Sequence, residues 1–473
     1  MRGALLGLGT LLLLLACEVR SMDAALVSRG DENGDGRLTG ADIERLLERC
    51  EPGCRIQLAP GVYEDVALEI DRSVSIAGAG RTLTTLRAPA PATGPVVHIA
   101  GGVAAFAIEA LTIDGRRSEQ TQPRSIKDHV GIRVSNVFAR DSPDGRIRDV
   151  EVRDFLTAGI LIRNGQGWRV EDSTVRSIGC HETHLPCPRL RTPGRDPHME
   201  GRVTVGYGIL LSGAGASRAS ITGNLVSDVT KIGIEAFTTN SSLGSADRVR
   251  DVVIRGNTVQ RSLAAGIVSN GGQRITIDAN SIRESGGRGV RGHAGNGIAC
   301  GGASEEITIS NNVVETSLGP GIRVTCLGDD VEVSGNRTTD ACAGEHRDYG
   351  AMHVVGRKEG SRNVVIRNER IDNSASGCKF GLFVARWNEA AIDDVVVRGG
   401  SKIGIFVNRS RDVRLSGLST DADVPLWTSA TAERVELRGE PSFDVKAIRS
   451  DGDSAVVLLP PERPGGAGSA ASD

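Results

Sequence analysis

The fold of this chain is decided by a repeated unit, of which one copy reads Gly266-Ile267-Val268-Ser269-Asn270-Gly271-Gly272-Gln273-Arg274-Ile275-Thr276-Ile277-Asp278-Ala279-Asn280. The first half of the unit begins with Gly-Ile, and the second half alternates apolar and polar residues before it closes with Asn. Most units recur at intervals of about 23 to 33 residues. The Gly-Ile or Gly-Leu pairs begin at Gly131, Gly159, Gly208, Gly233, Gly266, Gly297, Gly321, Gly381 and Gly404, and the closing asparagines are Asn224, Asn257, Asn280, Asn312 and Asn336.

This period indicates a solenoid, because a unit of this size cannot bury its apolar face alone and has to stack on its neighbours. Short strands joined by brief turns favour the coils of a parallel β-helix, in which equivalent residues lie about 4.8 Å apart. We therefore expect the closing asparagines to form an internal ladder from coil to coil. The pattern resembles the right-handed parallel β-helix of the pectate-lyase-like superfamily. The resemblance implies an all-β, right-handed parallel β-helix solenoid over residues 54–440.

The composition fits one long domain of this kind. The 473 residues include 61 glycines and only 3% aromatic residues, which suits tight turns and a narrow interior filled by aliphatic side chains. A solenoid lengthens by adding coils, so the length does not require several domains. The formal net charge is −3 and the basic residues form no stripe, which argues against nucleic acid as a partner.

Both ends of the chain are predicted to lie outside the solenoid. Residues 1–16 contain an apolar run too short to span a membrane, which predicts a secretory signal peptide. The run ends Leu14-Leu15-Ala16-Cys17, which resembles a bacterial lipobox, and this implies an exported cell-envelope lipoprotein anchored to the membrane through Cys17. A plain secretory signal and an extracellular product are the alternative. Residues 441–473 form the C-terminal end, with a predicted disordered tail from Pro460 onward.

The cysteine count supports the lipid anchor. The chain has nine cysteines, and eight remain when Cys17 is set aside. In an exported protein an even number predicts disulfide bonds, although eight cysteines allow 105 connectivities. The pairings between cysteines that are close in the sequence are Cys50–Cys54, Cys180–Cys187, Cys300–Cys326 and Cys342–Cys378.

A second motif precedes the solenoid, within residues 17–53. The stretch Asp31-Glu32-Asn33-Gly34-Asp35-Gly36-Arg37-Leu38-Thr39-Gly40-Ala41-Asp42 resembles an EF-hand or dockerin-type calcium loop. An acidic surface turn is the alternative. Only one loop is present where dockerins have two, so the resemblance implies a structural calcium site rather than docking to a cohesin. The implied Ca²⁺ ligands are Asp31, Asn33, Asp35, the carbonyl group of Arg37 and Asp42.

A short helix is predicted to follow this loop, over residues 41–50. Its apolar residues Ile43, Leu46, Leu47 and Cys50 recur at helical spacing and form one stripe. The end of a solenoid needs a cover for its apolar interior. We therefore expect this N-terminal helical segment to cap the first coil.

One interval of the repeat is longer than the others and carries a candidate catalytic segment at residues 180–200. There, Asp196-Pro197-His198 followed by Glu200 resembles the signature of mannuronan C5-epimerases, which also fold as right-handed β-helices. The resemblance implies that His198 acts near the C5 proton of a uronate. Met199 separates His198 from the carboxylate, which departs from the family's pattern. An ordinary loop held by a disulfide bond is the alternative.

The outward face of the Gly-Ile strands is the second candidate region. Alternation places Arg133, Arg163, Glu235, Arg323 and His353 outward, with two phenylalanines, at positions 383 and 406, further along. Cationic side chains neutralise the carboxylates of a polyuronate, and a base can remove the C5 proton. A solvated face with scattered charge is the alternative. The candidate catalytic residues of the whole chain are His198, Glu235, Arg323 and His353.

Two functions remain open at this stage. One is an exported, calcium-binding enzyme that binds or modifies an acidic polysaccharide as a lyase or C5-epimerase. The other is a non-catalytic surface solenoid that binds glycan or protein. The first predicts that Glu235, Arg323 and His353 converge in one cleft with the 180–200 segment, and the second predicts a dispersed face.

Overall fold

The structure is a computed structural model of the chain. It describes residues 25–28, 30–32, 34–121, 125, 127–135, 144–180, 185, 199–200, 203–204, 206–213, 216–238, 248–287, 295–344, 349–374, 377–452 and 456–460. The predicted signal peptide, Cys17, Asn33, His198 and the part of the predicted tail after Pro460 lie outside these residues. Within the described part of the chain, no helix is long and apolar enough to cross a membrane.

Most of the chain coils into two long parallel sheets. Sheet 1 has fourteen strands among the described residues, and we number these strands as rungs 1 to 14 in chain order. The rungs are Leu68–Ile70, Val97–Ile99, Val130–Ser135, Ala158–Arg163, Tyr207–Ser212, Ile232–Phe237, Ala265–Asn270, Asn296–Gly301, Ile322–Val324, Gly350–Val355, Phe380–Ala385, Ile403–Asn408, Val424–Thr428 and Arg449–Ser450. Each rung pairs in parallel with the rungs before and after it, as the predicted β-helix requires.

Sheet 2 forms the other two sides of the coils. It bends at the closing asparagines, so the strands before and after this bend lie on different sides. Its strands among the described residues are Ala25–Val27, Arg55–Gln57, Gly61–Tyr63, Val74–Ala77, Thr84–Arg87, Ala105–Asp114, Asp144–Phe155, Trp168–Glu171, Thr174–Ile178, Ser217–Thr222, Leu225–Val229, Arg250–Arg255, Thr258–Ser262, Gln273–Asp278, Ser281–Ser285, Glu305–Ser310, Val313–Ser317, Val331–Ser334, Arg337–Thr339, Ser361–Asp372, Trp387–Arg398, Arg411–Ser416, Ser419–Thr420, Glu433–Arg438 and Val456–Leu459. An antiparallel pair, Met199–Glu200 with Val203–Thr204, stands apart. The helices are the α-helix Gly40–Glu48 and the 3₁₀ turns Arg117–Glu119 and Val445–Ala447.

The glycine at the second position of most rungs has a steric cause. A Cβ added at Gly159 would lie 2.4 Å from Cγ1 of Val175, a buried residue of sheet 2 in the following coil segment. A Cβ added at Gly266 would likewise lie 2.5 Å from Cγ2 of Ile282. The corner between sheet 2 and sheet 1 therefore has no room for a side chain, while the isoleucine that follows is buried in the interior.

The predicted asparagine ladder is confirmed. The side chain of Asn280 accepts hydrogen bonds from the backbone N–H and from Nδ2 of Asn257, both at 2.9 Å, and Asn312 does the same for Asn280. Each Nδ2 also donates to a carbonyl of the preceding coil, as Asn280 does to Ile254. These buried polar groups are thus paired along the solenoid. After Asn336 the ladder continues to the carboxyl group of Glu369.

The α-helix Gly40–Glu48 covers the N-terminal end of the interior. Its side chains Ile43 and Leu46 are fully buried in the same core cluster as Ile56 of the first coil. Burying apolar side chains of this size stabilises a fold by about 2 kcal/mol each. The disulfide bonds Cys50–Cys54, Cys300–Cys326 and Cys342–Cys378 are present as predicted. Cys180 is also disulfide-bonded, and its predicted partner Cys187 lies outside the described residues.

Candidate functional site

The outward face of sheet 1 presents one continuous line of side chains, which we call the outward column. In each rung, one outward residue lies directly opposite its register partner on the next rung, about 4.8 Å away. In rung order the column consists of Glu69, His98, Arg133, Leu161, Leu210, Glu235, Val268, Ala299, Arg323, His353, Phe383, Phe406, Trp427 and Arg449. The column is polar at its beginning, apolar in its middle and aromatic at its end.

The middle of the column is buried although it points away from the interior. Leu161, Leu210, Val268 and Ala299 are each at most 3% exposed, and they belong to a second apolar cluster on this face. Glu235 lies among them and is 4% exposed. Burial raises the pKa of Glu235 to about 7, against the opposing charge of Lys231. Glu235 is therefore a buried carboxyl group and not part of an open groove.

The structure brings together two of the predicted catalytic residues. Arg323 and His353 are register partners on rungs 9 and 10. Glu235 lies three rungs before Arg323, about 14 Å away, with Val268 and Ala299 between them. The described residues therefore do not show the convergence of Glu235 with Arg323 and His353, and His198 is not among them. The Gly-Ile units at Gly233, Gly266, Gly297 and Gly321 already place Glu235 and Arg323 three coils apart, so their separation along the axis could be read from the sequence.

Four aromatic rings follow one another on rungs 10 to 13, and we call them the aromatic ladder: His353, Phe383, Phe406 and Trp427. His353 stacks on Phe383 with ring centroids 4.6 Å apart. Phe383 meets Phe406 edge to face at 5.4 Å, and Phe406 lies 4.7 Å from Trp427. Phe383, Phe406 and Trp427 are partly exposed. The ladder therefore offers solvent a strip of aromatic surface about three rung spacings long.

Further aromatic and cationic side chains flank this ladder. Phe380 stacks on Phe406 at 5.0 Å, and Tyr349 meets His353 edge-on at 5.1 Å. Three cations lie over ring faces, one at each end of the ladder and one at its side. The pairs are Arg323 over Tyr349 at 5.4 Å, Lys379 over Phe380 at 5.2 Å and Arg449 over Trp427 at 4.5 Å. Such pairs hold the cations in place beside the rings. The strip is therefore apolar along its length, with Arg323 and Lys379 beside it. At the Trp427 end, Arg449 is paired with Asp451 at 3.5 Å, and Asp451 also accepts a hydrogen bond from Nε1 of Trp427 at 2.9 Å.

His353 is the titratable group of this strip. It is 9% exposed, and burial together with the charge of Arg323 lowers the pKa of His353 to about 4. Among the described residues, neither His353 Nδ1 nor Arg323 Nε has a hydrogen-bond partner. At neutral pH the imidazole is therefore uncharged, and both groups retain unused polar atoms at one end of the ladder.

Sequence reasoning identified only part of this strip. Phe383 and Phe406 were predicted from the Gly-Ile period, but Trp427 and Arg449 were not. In rung 13, Pro425-Leu426 stands where most rungs have Gly-Ile, so the motif does not mark it. The alternation of buried and outward residues around Leu426 was the available signal.

The predicted calcium loop is wound around the carboxylate of Asp31. Asp31 Oδ1 accepts hydrogen bonds from the backbone N–H groups of Gly34 at 2.6 Å and Asp35 at 3.1 Å, and Oδ2 accepts from Gly36 at 2.6 Å. Asp35 Oδ1 accepts from the N–H of Arg37 at 2.8 Å. Carboxylate and carbonyl oxygens are the ligands that Ca²⁺ prefers, so the chemistry of this donor set fits the ion.

Asp42, the last predicted calcium ligand, has a structural role as well. It is fully buried, and its Oδ2 accepts from the N–H of Thr39 at 2.7 Å, at the start of the α-helix. Its Oδ1 accepts from the N–H of Glu32 at 2.8 Å, which joins the two ends of the loop. Within the described part of the chain, no group of three or more His, Cys, Asp or Glu side chains is arranged to hold a metal.

Comparison with known families assigns the fold. The family described as "Right handed beta helix region" matches residues 158–417, which is more than half of the chain. The chain therefore belongs to the right-handed β-helix family. No curated protein sequence matches it.

Solved structures with a similar arrangement of strands come from several sources. The chain is similar to ORF18 of Geobacillus virus E2, with 12% identity over 73% of this chain and 56% of that chain and a TM-score of 0.42. It is similar to the A-module of the mannuronan C-5 epimerase AlgE6 of Azotobacter vinelandii, with 12% identity over 89% and 94% and a TM-score of 0.34. For DFA-IIIase of Arthrobacter chlorophenolicus A6 without its lid, the identity is 12% over 92% and 98%, and the TM-score is 0.46. Likenesses at this level do not assign a function.

Proposed function

We propose that this protein binds an acidic glycan along the aromatic ladder and acts there as a binding surface. The observation that carries the proposal is the run of rings on successive rungs, bordered by cations. A pyranose ring presents a flat face of C–H groups that packs on an aromatic face, and this contact removes apolar surface from water. Rings fixed at the rung spacing suit an extended chain of sugars better than a compact ligand.

The preference for an acidic glycan follows from the charges at the borders of the strip. Arg323 and Lys379 each lie over the ring of an aromatic side chain that flanks the ladder, so a sugar that contacts the exposed aromatic surface beside them brings its substituents close to a cation. The third cation, Arg449, is shared with Asp451. Guanidinium groups bind carboxylates through paired hydrogen bonds. A uronate can pack on the aromatic surface and can also pair its carboxylate with a cation. A neutral glycan can only pack on the aromatic surface.

Binding is better supported than catalysis because the acid and base groups are dispersed. Removal of the C5 proton of a uronate needs a base within hydrogen-bond reach of that proton. Glu235 lies about 14 Å from Arg323 along the column, and it is buried. A lyase or C5-epimerase is the second candidate, and it rests on the uncharged imidazole of His353 next to the guanidinium of Arg323.

The binding proposal is tested by calorimetric titration of the purified protein with polygalacturonate, alginate and a neutral glucan. We expect binding to both polyuronates and weaker or no binding to the glucan. Replacement of Trp427 or Phe406 by Ala removes stacking surface and is expected to weaken binding about tenfold or more. Leu225→Ala removes an exposed apolar side chain on sheet 2 and serves as the matched control. Equal binding by wild type and both ladder variants would contradict the proposal.

The catalytic candidate is examined with the same polymers. An eliminating lyase produces unsaturated chain ends that absorb in the ultraviolet, and an epimerase changes the uronate composition seen by NMR. If either product forms and disappears in His353→Ala, the strip is an active site and the purely binding function is wrong. Unchanged polymers together with measurable affinity support the binding surface.

Calcium binding at the N-terminal loop is a further part of the proposed function. The ligands are those named from the sequence, and the support is the loop wound around Asp31 next to the capping helix. An ion that binds only the folded loop stabilises the capped end by mass action. Ca²⁺ is expected to raise the melting temperature of wild type but not of Asp31→Ala or Asp35→Ala. Asp71→Ala, an exposed aspartate on another loop, is the control, and a calcium response unchanged in all variants would exclude this site.

Export and lipid anchoring complete the proposal. The support is the lipobox-like junction at Cys17 and the even number of remaining cysteines. When the gene is expressed in a bacterium, wild type is expected in the membrane fraction, and its N-terminal peptide is expected to carry the mass of a lipid. Cys17→Ser should move the protein to the soluble fraction. An unmodified N-terminus at Cys17, or equal partitioning of both proteins, would exclude the anchor.

A further inference from the structure

The polar beginning of the outward column contains three side chains joined in one hydrogen-bonded line. His98 on rung 2 places Nδ1 2.7 Å from Glu69 Oε2 on rung 1. The other nitrogen of the same ring, Nε2, lies 3.0 Å from the hydroxyl of Ser135 on rung 3. A hydroxyl, an imidazole and a carboxylate are thus connected in the order that an activated nucleophile requires.

The solenoid explains how residues far apart in the sequence meet in this order. Glu69 and His98 are register partners on adjacent rungs, so their side chains project from the same face. Arg133 is the register partner of His98 on the next rung, and Ser135 is the second residue after it on that strand. The imidazole therefore reaches diagonally from rung 2 to the end of rung 3.

This arrangement fixes the tautomer of the histidine. The Glu69 carboxylate is acceptor-only when ionised, so it holds the imidazole proton on Nδ1. Nε2 then presents its lone pair to the Ser135 hydroxyl, which donates to it. An imidazole in this tautomer can take the hydroxyl proton when the oxygen attacks a carbon.

Two arginines lie on the same outward face of sheet 1 as the serine. Arg163 is the register partner of Ser135 on rung 4, and Arg133 precedes the serine on its own strand. Burial lowers the pKa of Arg133, and the positive charge of Arg163 lowers it further. Ser135 is 8% exposed and the His98 side chain is 20% exposed, whereas the Glu69 side chain is 62% exposed and Arg163 is exposed. A cation near the serine can stabilise negative charge that develops on a bound carbonyl oxygen.

We propose that Ser135, His98 and Glu69 form a hydrolytic site for carboxylic esters, with Ser135 as nucleophile, His98 as general base and Glu69 as the residue that positions the imidazole. The two arginines favour an ester carried by an anionic molecule. The proposal is independent of glycan binding, because rung 2 lies eight rung spacings, about 38 Å, from rung 10 where the aromatic ladder begins.

The reaction consumes the ester and one water molecule. Ser135 Oγ bonds to the carbonyl carbon and its proton passes to His98 Nε2, which leaves a tetrahedral oxyanion beside the arginines. The oxyanion collapses, the ester C–O bond breaks, and the departing alkoxide takes the proton from His98. Water then attacks the acyl-serine and gives its proton to His98. When the second intermediate collapses, Ser135 leaves with that proton and a carboxylic acid is released.

A fluorophosphonate probe tests the nucleophile, because it forms a covalent bond with a serine hydroxyl that a neighbouring base activates. The full-length protein is treated with the probe, and the labelled residue is located by mass spectrometry. We expect the label on Ser135 of wild type and its loss in Ser135→Ala and His98→Gln. Ser212→Ala is the matched control, because Ser212 occupies the equivalent outward position two rungs further on and should not affect labelling.

Hydrolysis of p-nitrophenyl acetate tests the activity itself. We expect Ser135→Ala and His98→Gln to lower kcat/KM at least about a hundredfold, with melting temperatures close to wild type. Glu69→Gln should lower kcat with little change in KM, and it should shift the pH profile of kcat/KM because the imidazole loses its ionised partner. Absence of label on Ser135, or a hydrolysis rate unchanged in the two folded variants, overturns the proposal. Leu225→Ala, at an exposed position on sheet 2 outside both sites, should leave this activity intact.

Discussion

Replacing Glu369 by glutamine is expected to stabilise the solenoid at neutral pH and to remove much of its pH dependence. Glu369 ends the internal asparagine ladder and is fully buried. Its Oε1 accepts hydrogen bonds from Nδ2 of Asn336 at 2.9 Å and from the backbone N–H of Asn336 at 3.3 Å. Among the described residues, Oε2 has no partner. The ladder thus ends in a carboxyl group that receives two hydrogen bonds on one oxygen only.

The protonation of Glu369 determines the sign of the effect. Burial raises the pKa of Glu369 from 4.5 to about 8, and the hydrogen bonds from Asn336 only partly oppose this rise. Below pH 4.5 the group is protonated in both the folded and the unfolded chain. Between pH 4.5 and about 8, the unfolded chain has released the proton that the folded protein retains. Raising the pH through this window therefore lowers the free energy of unfolding.

The magnitude follows from the two pKa values. The rise from 4.5 to about 8 corresponds to about 5 kcal/mol of stability lost across the window, of which about 3 kcal/mol is lost by pH 7. Glutamine has nearly the same shape and remains neutral at every pH. It also keeps an oxygen that can accept from Asn336. The Glu369→Gln variant should therefore match wild type near pH 4.5 and exceed its stability by about 3 kcal/mol at pH 7.

Denaturant unfolding at half-unit steps from pH 4.5 to 8, under non-reducing conditions, measures this difference. Glu359→Gln, which replaces an exposed glutamate in a turn, is the matched control and should run parallel to wild type at every pH. The reasoning is refuted if the advantage of Glu369→Gln stays constant across the pH range, because a constant difference reflects packing or hydrogen bonding and not a proton.

Three further predictions address other parts of the solenoid. Glu235→Gln should reduce the loss of stability that accompanies a rise in pH from 4.5 to about 7, because burial raises the pKa of Glu235 to about 7. A pH series of melting temperatures checks this. Asn280→Ala removes the acceptor of two buried donors of Asn257 and should cost about 3 kcal/mol in denaturant unfolding, while the neighbouring Ser281→Ala costs little. Replacing Cys300 and Cys326 by Ala opens a loop closed across 26 residues and should cost about 3 kcal/mol under non-reducing conditions.

The period of the sequence was sufficient to predict the coils, because each unit contains the groups that stack on its neighbours. The ladder through Asn280 and the Cys300–Cys326 bond were predictable for the same reason, since both join equivalent positions of successive coils. The helical cap was predictable from the spacing of Ile43 and Leu46.

The composition of the outward face was only partly predictable. Alternation correctly gave the direction of Glu235, but its burial depends on tertiary packing that no local pattern records. The contact of His98 with Ser135 joins residues 37 positions apart, on rungs that do not both begin with Gly-Ile. Such a contact appears only when the number of residues in each coil is known, because that number sets which side chains are opposite one another.

In a parallel solenoid the outward residues can differ from rung to rung while the inward residues stay apolar. One column can therefore hold side chains of very different chemistry. The inward residues of the rungs repeat because every coil needs the same apolar filling, whereas an outward residue contacts mainly the two rungs beside it. A local change on one rung therefore alters one site and leaves a distant one intact. On this basis Glu69 and His98 can support acyl chemistry at one end of sheet 1, while Phe406 and Trp427 support binding at the other. The buried middle of the column keeps the two regions apart, so their functions can be tested by independent substitutions.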